Sequence, residues 1–448
     1  MNELKAFPYQ RVLILGLAKS GTAVAKLLHR NGIGVIVNDL KTPEDDDNVR
    51  QIRDLGIGVI VGEHPLSVLD DVDAVIKNPG IPYENVLIKE ALHKDLPILT
   101  EIELIAYFGI DQVVGITGSN GKTTTTTLIY EMFKRAELPA SLAGNIGHVA
   151  SEVAEGMEEN EKMIIELSSF QLLGVDRFKP RIAVLLNLFE AHLDYHHTIE
   201  HYQNAKATIF KNQTEQDYLV YNADDPRIKQ MVKPAASTLV PFSREAQLTT
   251  GAYCKDGAIY FKQEKVMDID AIALVGAHNL ENILAAVAVA KIEGISNLTI
   301  QAVLGSFTGV SHRLQFVEEV NGRLCYNDSK ATNILATSKA LNAFSQPVIL
   351  LAGGLDRGNE FDELIPHMSN VKGMVLFGET SEKLTRAGKA ADVEQIQIVT
   401  TMEEAVQQAY QLSEKGDIIL LSPACASWDQ YKTFEERGNM FIDSVHKL

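Results

Sequence analysis

The sequence predicts an α/β protein with three domains, each built around a parallel sheet. Short apolar runs rich in β-branched residues alternate with helix-like segments, and strands separated by about 12 helical residues usually form parallel sheets. This alternation falls into three blocks, and a chain of 448 residues has room for about three domains. We expect the domains to cover residues 1–101, 102–309 and 310–448.

Within the three blocks, the strands are assigned from apolar runs and the helices from the segments between them. The expected strands cover residues 11–16, 34–39, 72–80, 113–116, 163–165, 347–354, 373–379 and 416–424. Helices are expected at 22–32, directly after residue 121, and at 276–294.

Composition and charge exclude several classes of protein. Apolar residues make up 46% and charged residues 22%, which is ordinary globular usage. The net charge of −18 repels nucleic acid and anionic membranes, and no run approaches the roughly 18 apolar residues of a membrane span. Cys254, Cys325 and Cys425 lie far apart, which disfavours a disulfide framework or a zinc site. We therefore expect a cytoplasmic protein without nucleic-acid partners or membrane insertion.

A phosphate-binding loop is the strongest local signal. It follows the apolar strand at 113–116, precedes an amphipathic helix, and consists of Gly118, Ser119, Asn120, Gly121, Lys122, Thr123 and Thr124. Such a loop points backbone N–H groups and a helix N-terminus at a phosphate, with a lysine for charge and a hydroxyl for magnesium. The spacing is unusual, because Ile116 stands where the first glycine is normal. The alternative is a glycine turn with an exposed lysine.

A second glycine turn, Gly16 to Gly21, follows the first strand, and Asp39 ends the second. This arrangement is typical of dinucleotide sites, but Ala18 replaces the middle glycine, so the indication for NAD is weak. A nucleotide-like ligand near Asp39 is the interpretation we retain. The alternative is a turn that serves only packing.

Three other residues are candidates for a metal site beside the phosphate loop. Glu166 ends a parallel strand, where a carboxylate ligand of Mg²⁺ is expected. His192 is not a typical magnesium ligand; taken alone it would more often be a hydrogen-bonding residue, and its spacing does not decide between the two roles. Lys206 lies in an expected helix and, taken alone, would be a surface lysine.

Six motifs occur in the order seen in the Mur ligases, and the resemblance covers essentially the whole chain. They are residues 118–123, 166–171, 187–194, 278–282, 312–313 and 327–333. Within that family, residues 422–438 resemble the segment of the member that adds D-glutamate. The resemblance implies an N-terminal Rossmann-like domain that holds the UDP end of the substrate, a central P-loop ATPase-type domain, and a C-terminal Rossmann-like domain that brings the amino acid.

The activity implied by the resemblance is ATP-dependent ligation of D-glutamate to UDP-N-acetylmuramoyl-L-alanine, for peptidoglycan precursor synthesis. An acyl phosphate and a tetrahedral intermediate are implied, with ADP and phosphate as products, in a monomeric enzyme. Implied catalytic residues are Lys122, Lys206, His192 and Glu166. Two Mg²⁺ ions are implied, with Thr123, Glu166, His192 and Lys206 as ligands. Lys206 matches a lysine that CO₂ converts to a carbamate, which supplies an anionic oxygen where an ammonium would repel the metal.

Binding residues are carried over by the same resemblance. ATP contacts are implied for residues 118–124 and for Asn279, Asn282, Arg313 and Asp328. UDP-sugar contacts are implied for Gly16, Asp39, Gly80, Asn145, Ser168 and Gln171. D-Glutamate contacts are implied for Lys330, Thr332, Arg357, Ser427 and Phe434, with Arg357 where relatives often carry lysine.

Three competing functions stay open from the sequence. The nearest is another amide ligase of this superfamily, such as a folylpolyglutamate synthase or a different Mur ligase. A nicotinamide-dependent oxidoreductase would be built on the first glycine turn. A non-catalytic nucleotide-binding regulator is the third. Cys425 lies in a motif implied to contact substrate, but we interpret it as a packing residue.

Overall fold

Three α/β domains with largely parallel sheets make up the computed structural model, which confirms the predicted fold class. The structure describes residues 2–189, 193–274 and 277–448, so the candidate ligand His192 lies outside the described residues. The chain divides into two compact units, Met1–Phe307 and Thr308–Leu448, and the first unit contains two of the three sheets. The finer domain bounds given above stay a prediction.

The N-terminal sheet contains five parallel strands. They are β1 (Arg11–Leu15), β2 (Gly34–Asp39), β3 (Gly58–Val61), β4 (Ala74–Lys77) and β5 (Ile98–Leu99), in the order β3-β2-β1-β4-β5. Its helices are α1 (Lys19–Arg30), α2 (Asp47–Asp54) and α3 (Val86–His93), with a 3-10 turn at Leu66–Leu69. Both faces of β1 are covered, which is why Val12, Leu13 and Ile14 are all buried.

A buried 3-10 helix, Glu101–Tyr107, joins this sheet to the next. Ile102 and Leu104 are fully buried in a core shared with the middle sheet. The Glu103 carboxylate accepts hydrogen bonds from the backbone N–H groups of residues 176, 177 and 178, at 2.8, 2.9 and 3.1 Å. Because buried backbone donors need partners, this carboxylate fixes the junction, and the two sheets form a single unit.

The middle sheet has nine strands. They are β6 (Val113–Thr117), β7 (Ala140–Gly144), β8 (Lys162–Glu166), β9 (Ile182–Leu185), β10 (Tyr218–Asn222), β11 (Thr238–Ser243), β12 (Ala252–Lys255), β13 (Ala258–Phe261) and β14 (Glu264–Asp268). The order is β14-β13-β12-β11-β10-β9-β6-β8-β7, and the pairs that involve β13 are antiparallel. The strands β12, β13 and β14 of these antiparallel pairs were not among the expected strands.

Helices and two 3-10 turns, Thr208–Phe210 and Ile269–Ala271, connect these strands. The helices are α4 (Lys122–Arg135), α5 (Ala150–Gly156), α6 (Ser169–Leu172), α7 (Leu193–His196), α8 (Ile199–Ala207), α9 (Pro226–Met231), α10 (Ala277–Ile292) and α11 (Asn297–Leu304). The apolar side chains of α4 and of α10 pack in one buried core with β6 and β9. That packing places the starts of α4 and α10 near the same end of the sheet.

The C-terminal unit has a six-stranded sheet. Its strands are β15 (Gln315–Val320), β16 (Arg323–Asn327), β17 (Val348–Gly353), β18 (Val371–Phe377), β19 (Gln395–Ile398) and β20 (Ile418–Leu421). The order is β15-β16-β20-β17-β18-β19, with only β15 antiparallel. Its helices are α12 (Ile334–Leu341), α13 (Ser381–Ala390), α14 (Met402–Leu412) and α15 (Phe434–Val445), with a 3-10 helix at Asp362–His367. Within the described ranges, none of the helices has the length and apolar character needed to cross a bilayer.

Candidate functional site

The phosphate loop forms between β6 and α4 despite its unusual spacing. Gly121 is the N-cap of α4 and has a φ of 80°, a left-handed conformation that suits glycine. Lys122 is half-buried, and its Nζ donates to the carbonyl oxygens of Gly118 and Ser119, both at 3.0 Å. Lys122 is thus not the exposed lysine that the alternative interpretation expected. The ammonium lies over the loop whose N–H groups begin the helix.

Asn187 braces this loop, although its sequence motif predicted no role for it. Its side-chain oxygen accepts from the Asn120 N–H at 2.8 Å, and its side-chain nitrogen donates to the Asn120 carbonyl at 3.2 Å. Its backbone carbonyl accepts from the Ser119 N–H at 3.0 Å. The available signal was topological, since Asn187 follows β9, the strand that pairs with β6.

Asn282 of α10 fills the space beside Gly121. A methyl group built on Gly121 would lie 2.0 Å from the Asn282 side-chain oxygen. The Asn282 side-chain nitrogen donates to the side-chain oxygen of Asn279 at 3.2 Å. The structure thus brings two residues implied to bind nucleotide, 279 and 282, next to the phosphate loop.

Gly121→Ala is expected to weaken nucleotide binding at least tenfold. The left-handed conformation costs an alanine about 1–2 kcal/mol, and the added methyl group displaces Asn282 as well. Calorimetric titration with a non-hydrolysable ATP analogue measures the effect. Gly156→Ala is the control, because a methyl group there meets nothing within 4 Å. Equal affinities for Gly121→Ala and the unaltered protein would contradict the assigned loop.

Glu166 and Lys206 are both buried beside the loop, each only 1% exposed. One Glu166 carboxylate oxygen, Oε1, accepts from the Asn145 side-chain amide at 2.7 Å, whereas Oε2 has no hydrogen-bond partner among the described residues. Lys206 Nζ donates to the Gly118 carbonyl at 2.8 Å and lies 4.7 Å from the centre of the Tyr202 ring. The interpretation of Lys206 as a surface lysine is wrong.

Burial changes the chemistry of Lys206. Loss of hydration places the pKa of its amine well below the ordinary value, and the nearby positive charge of Lys122 acts in the same direction. The negative charge of Glu166 opposes both effects. The amine is therefore biased toward its neutral form, which is the nucleophilic form.

The residues present fit a magnesium site. A buried carboxylate oxygen without a hydrogen-bond partner is costly unless a cation completes it, which is the situation of Glu166 Oε2. Thr123 is buried in the first turn of α4, where a phosphate loop supplies a hydroxyl ligand. Over the described part of the chain, no cluster of three or more His, Cys, Asp or Glu could hold a metal ion. The ligand set implied by the family resemblance instead includes Thr123 and Lys206.

Three residues implied to contact the UDP-sugar follow adjacent strands of the N-terminal sheet. Gly16 follows β1, Asp39 ends β2, and Gly80 lies in the turn after β4. Asp39 accepts from the backbone N–H groups of Leu17, at 2.7 Å, and of residues 41 and 42, at 2.7 and 2.8 Å. Burial alone would raise the pKa of Asp39, but these hydrogen bonds together lower it. Asp39 therefore also fixes the first glycine turn.

Lys77 connects the Gly80 turn to the middle domain, and it was not among the residues expected at the site. It ends β4, is 1% exposed, and has a pKa lowered to about 8 by burial. Its Nζ donates to the carbonyl oxygens of Pro79 and Ile81, at 3.1 and 2.9 Å, and to the Tyr195 hydroxyl at 3.0 Å. The Gly80 turn is thereby held against α7.

Of the other implied UDP-sugar residues, one contacts Glu166 and two follow it closely in sequence. Asn145 is exposed and donates to Glu166. Ser168 and Gln171 form a capping box at the start of α6, in which the Ser168 N–H donates to the Gln171 side-chain oxygen at 2.9 Å. These hydrogen bonds fix the backbone directly after β8.

In the C-terminal unit, the residues implied to bind D-glutamate lie at the carboxyl ends of parallel strands or at the start of α15. Ser427 is 2% exposed, and within the described part of the chain its hydroxyl has no hydrogen-bond partner. Lys330 Nζ lies 5.1 Å from the centre of the Phe434 ring, and the exposed Arg357 lies 5.1 Å from the Trp428 ring. Thr332 is half-buried and follows Lys330 by two positions. Two cations and an unpaired hydroxyl suit an amino acid with two carboxylates.

Cys425, in the same segment, is a packing residue. Its side chain is 4% exposed within the apolar core, and burial raises the pKa of the thiol to about 11. The thiol is therefore protonated near neutral pH, which argues against a nucleophilic role.

Asp328 and Arg313, both implied to contact nucleotide, differ in exposure. Arg313 is exposed near the start of the unit. Asp328 is buried after β16, where its carboxylate accepts from the Leu314 N–H at 3.1 Å and from the Ser422 hydroxyl at 2.9 Å. Burial raises the pKa of Asp328 to about 7.

Asp328→Asn is expected to remove a pH dependence of stability. Between its unfolded value of 3.8 and about 7, Asp328 ionises in the unfolded chain but not in the native one. Native stability therefore falls as pH rises through this window, by about 1 kcal/mol per pH unit. Thermal unfolding should show the stability of the variant rising relative to that of the unaltered protein from pH 4 to 7. The exposed Asp443→Asn is the control, and a constant difference across that range would contradict the buried, protonated carboxyl.

Comparison with known proteins gives three family matches along the chain. Residues 10–100 match the model of a Mur ligase MurD-like N-terminal domain, 116–290 the Mur ligase middle domain, and 312–425 the Mur ligase glutamate ligase domain. The chain is 55% identical over 448 residues to a protein of Oceanobacillus iheyensis, with 100% of both chains covered. It is 57% identical over 450 residues to one of Geobacillus kaustophilus, again with full coverage of both. Both are named UDP-N-acetylmuramoylalanine–D-glutamate ligase.

Solved structures support the fold. UDP-N-acetylmuramate-alanine ligase of Thermotoga maritima aligns with a TM-score of 0.57 at 17% identity, covering 98% of this chain and 99% of that one. The MurF ligase of the same organism, solved with ADP, aligns with a TM-score of 0.52 at 19% identity, covering 99% and 97%.

Proposed function

The chain belongs to the Mur ligase family, and from that premise we propose that it joins D-glutamate to UDP-N-acetylmuramoyl-L-alanine with ATP. The products are ADP, phosphate and the lengthened peptidoglycan precursor. The observation that carries this proposal is the grouping of Lys122, Glu166 and Lys206 around one phosphate loop. Neither an oxidoreductase nor a passive nucleotide-binding protein needs that grouping.

The reaction requires activation of a carboxylate, because a carboxylate has no good leaving group. The L-alanine carboxylate attacks the γ-phosphorus of ATP, which forms an acyl phosphate and releases ADP. The D-glutamate amine then attacks the acyl carbon, and the tetrahedral intermediate expels phosphate and leaves an amide. The first step brings two anions together, so fixed positive charge near the γ-phosphate is the main requirement.

Lys122 supplies part of this charge. Its ammonium lies over the Gly118 and Ser119 carbonyls, at the start of α4, where the N–H groups and dipole of the helix also favour phosphate. Asn187 holds the loop rigid, so little reorganisation accompanies binding. Asn279 and Asn282 border the loop on the side of α10.

Thr123, Glu166, Lys206 and His192 are the proposed holders of two Mg²⁺ ions. When bound, these ions would neutralise phosphate charge and orient the γ-phosphate for in-line attack. Asn145 fixes one oxygen of Glu166 and leaves the other available.

Lys206 joins this set as a carbamate in our proposal. Its neutral amine forms a bond to the carbon of CO₂ as one C=O π bond breaks onto oxygen, the nitrogen releases a proton to water, and the side chain becomes an anionic oxygen donor. The burial that disfavours the ammonium therefore keeps the amine in the neutral form that reacts with CO₂. Because Glu166 is close enough to act on the Lys206 charge, both donors belong to one site.

The proposal is tested by phosphate release with ATP and UDP-N-acetylmuramoyl-L-alanine, with D-glutamate added or withheld. We expect sustained release only with D-glutamate, and little with L-alanine, L-lysine or L-glutamate. Sustained release with one of these other acceptors would indicate a different amide ligase. The absence of any amino-acid dependence would contradict the ligase. The proposal also includes a cytoplasmic, monomeric enzyme, and gel filtration with light scattering tests the monomer.

A further inference from the structure

Arg437 is the largest fully buried side chain that the structure describes, and no step of the proposed reaction uses it. It lies in the first turn of α15 and is 0% exposed. Arginine is rarely buried to this degree unless it is paired. Among the described residues, this guanidinium donates hydrogen bonds only to uncharged oxygen atoms, which are one hydroxyl and three backbone carbonyls.

Ser329 and Cys425 supply oxygen atoms from two different loops, and Gly353 is the strand residue directly before a third loop. Nε donates to the Ser329 hydroxyl at 3.1 Å, and Nη2 donates to the carbonyls of Ser329 and Cys425 at 2.9 and 3.0 Å. Nη1 lies 3.4 Å from the Gly353 carbonyl. The loops follow β16, β20 and β17, which are consecutive strands in the sheet, so one guanidinium connects three neighbouring strand ends.

Each loop carries a residue proposed to bind D-glutamate. Ser329 directly precedes Lys330, Cys425 lies two positions before Ser427, and Gly353 lies four positions before Arg357. The Ser329 hydroxyl also donates to the Phe434 carbonyl at 2.8 Å, which ties α15 to the first loop. The residues proposed to bind D-glutamate thus lie close in sequence to the residues that Arg437 contacts.

Close packing makes the arrangement sensitive to the shape of the side chain. A methyl group on Gly354 would lie 2.2 Å from the Ala426 carbonyl and 3.2 Å from Arg437 Nη1, so the loops after β17 and β20 are already in contact. The planar guanidinium donates in several fixed directions at once. A lysine ammonium is a point donor on a flexible stem and cannot reach all three loops together.

We propose that Arg437 is a positioning residue for the acceptor amino acid. By holding the loops after β16, β17 and β20 in register, it keeps Lys330, Arg357 and Ser427 in the arrangement that binds one D-glutamate molecule. This inference rests on the proposed function, since it names a residue on which that acceptor site depends.

Arg437→Lys and Ser329→Ala test the proposal by steady-state kinetics. In Arg437→Lys, the KM for D-glutamate should rise about tenfold or more, because displaced loops misplace the acceptor. In Ser329→Ala, which loses the hydroxyl that accepts from Arg437 Nε, the KM for D-glutamate should rise about threefold. The KM values for ATP and for the UDP-substrate should stay within about twofold in both variants.

Phe441→Leu is the matched control. Phe441 is fully buried on the same helix, in a core away from the three loops, so its replacement destabilises the unit without touching the network. Trp428, the only tryptophan, gives a second readout, because it follows Ser427 and lies against Arg357. Its emission without ligand should change in Arg437→Lys but not in Phe441→Leu.

An unchanged D-glutamate KM in Arg437→Lys, or an equal rise in Phe441→Leu, overturns the proposal. If Arg437→Lys does not fold, Ser329→Ala decides, and an unchanged KM there overturns it as well. Failure of the unaltered protein to ligate D-glutamate is a separate result, seen before any variant is compared. That result removes the proposed function and this inference with it.

Discussion

Lys206→Arg is expected to lower ligation by about 10²–10³-fold while the fold is retained. Arginine keeps a positive charge in the buried position but is never deprotonated, so it forms no carbamate. The site would then present a cation to magnesium instead of an anionic oxygen. Phosphate release in the presence of both substrates measures the loss, and circular dichroism checks the fold.

Lys211→Arg is the matched control for this change. Lys211 is an exposed lysine a few residues further along the chain, and its Nζ lies 3.8 Å from Asp176 Oδ1. The substitution there should leave turnover unchanged. Carbon-13 NMR with labelled bicarbonate should show a carbamate signal in the unaltered protein that Lys206→Arg lacks. Near-normal ligation by Lys206→Arg would rule out the metal-ligand role.

Lys122→Met is expected to reduce nucleotide turnover by a similar factor, about 10²–10³-fold. Methionine retains the length and the helix propensity needed at the start of α4, so the change removes mainly the ammonium that lies over the loop. Because the ammonium stabilises developing phosphate charge, kcat should fall together with kcat/KM. Stopped-flow phosphate release with saturating substrates measures it.

Lys134→Met is the control on the same helix, since Lys134 is exposed in the last turn of α4. It should turn over ATP like the unaltered protein. Turnover that is indifferent to the loss of Lys122 would place the phosphate-transfer site elsewhere in the chain.

Periodic apolar segments made much of the fold predictable. The strand expected at residues 34–39 is β2, and the strand expected at 163–165 lies within β8, with Glu166 as its last residue. Parallel topology then follows from the helical connections, and it explains why the residues after β6 and β8 lie side by side.

The missed elements had weaker or different signals. The antiparallel β12–β13 pair turns at Asp256 and Gly257, which have φ angles of 48° and 74°. An Asp-Gly pair between two short apolar runs is a hairpin signal, but the expected strands were chosen as runs separated by helices, and no helix separates these two. The 3-10 helix Glu101–Tyr107 was likewise not among the expected elements, and its apolar residues are buried in a core shared by two sheets.

Burial of single charged residues was not predictable from the chain alone. Lys206 lies in a helix whose sequence has polar residues on every side, and Arg437 directly follows two glutamates. Lys77 is the last residue of an apolar strand, a place where a lysine is ordinarily exposed. Their burial depends on which loops surround them, and only tertiary packing determines that. The burial of these three cations is much of the information that the structure adds to the sequence motifs.

In the proposed reaction, ATP phosphorylates the carboxylate of the UDP-substrate before the amine attacks. UDP-N-acetylmuramoyl-L-alanine with both carboxylate oxygens replaced by oxygen-18 tests it directly, by mass spectrometry of the phosphate released during ligation to D-glutamate. An acyl phosphate predicts that each phosphate carries one labelled oxygen, because the bond from the acyl carbon to that oxygen is the one that breaks. Phosphate free of the label, formed while the amide accumulates, would contradict the acyl phosphate.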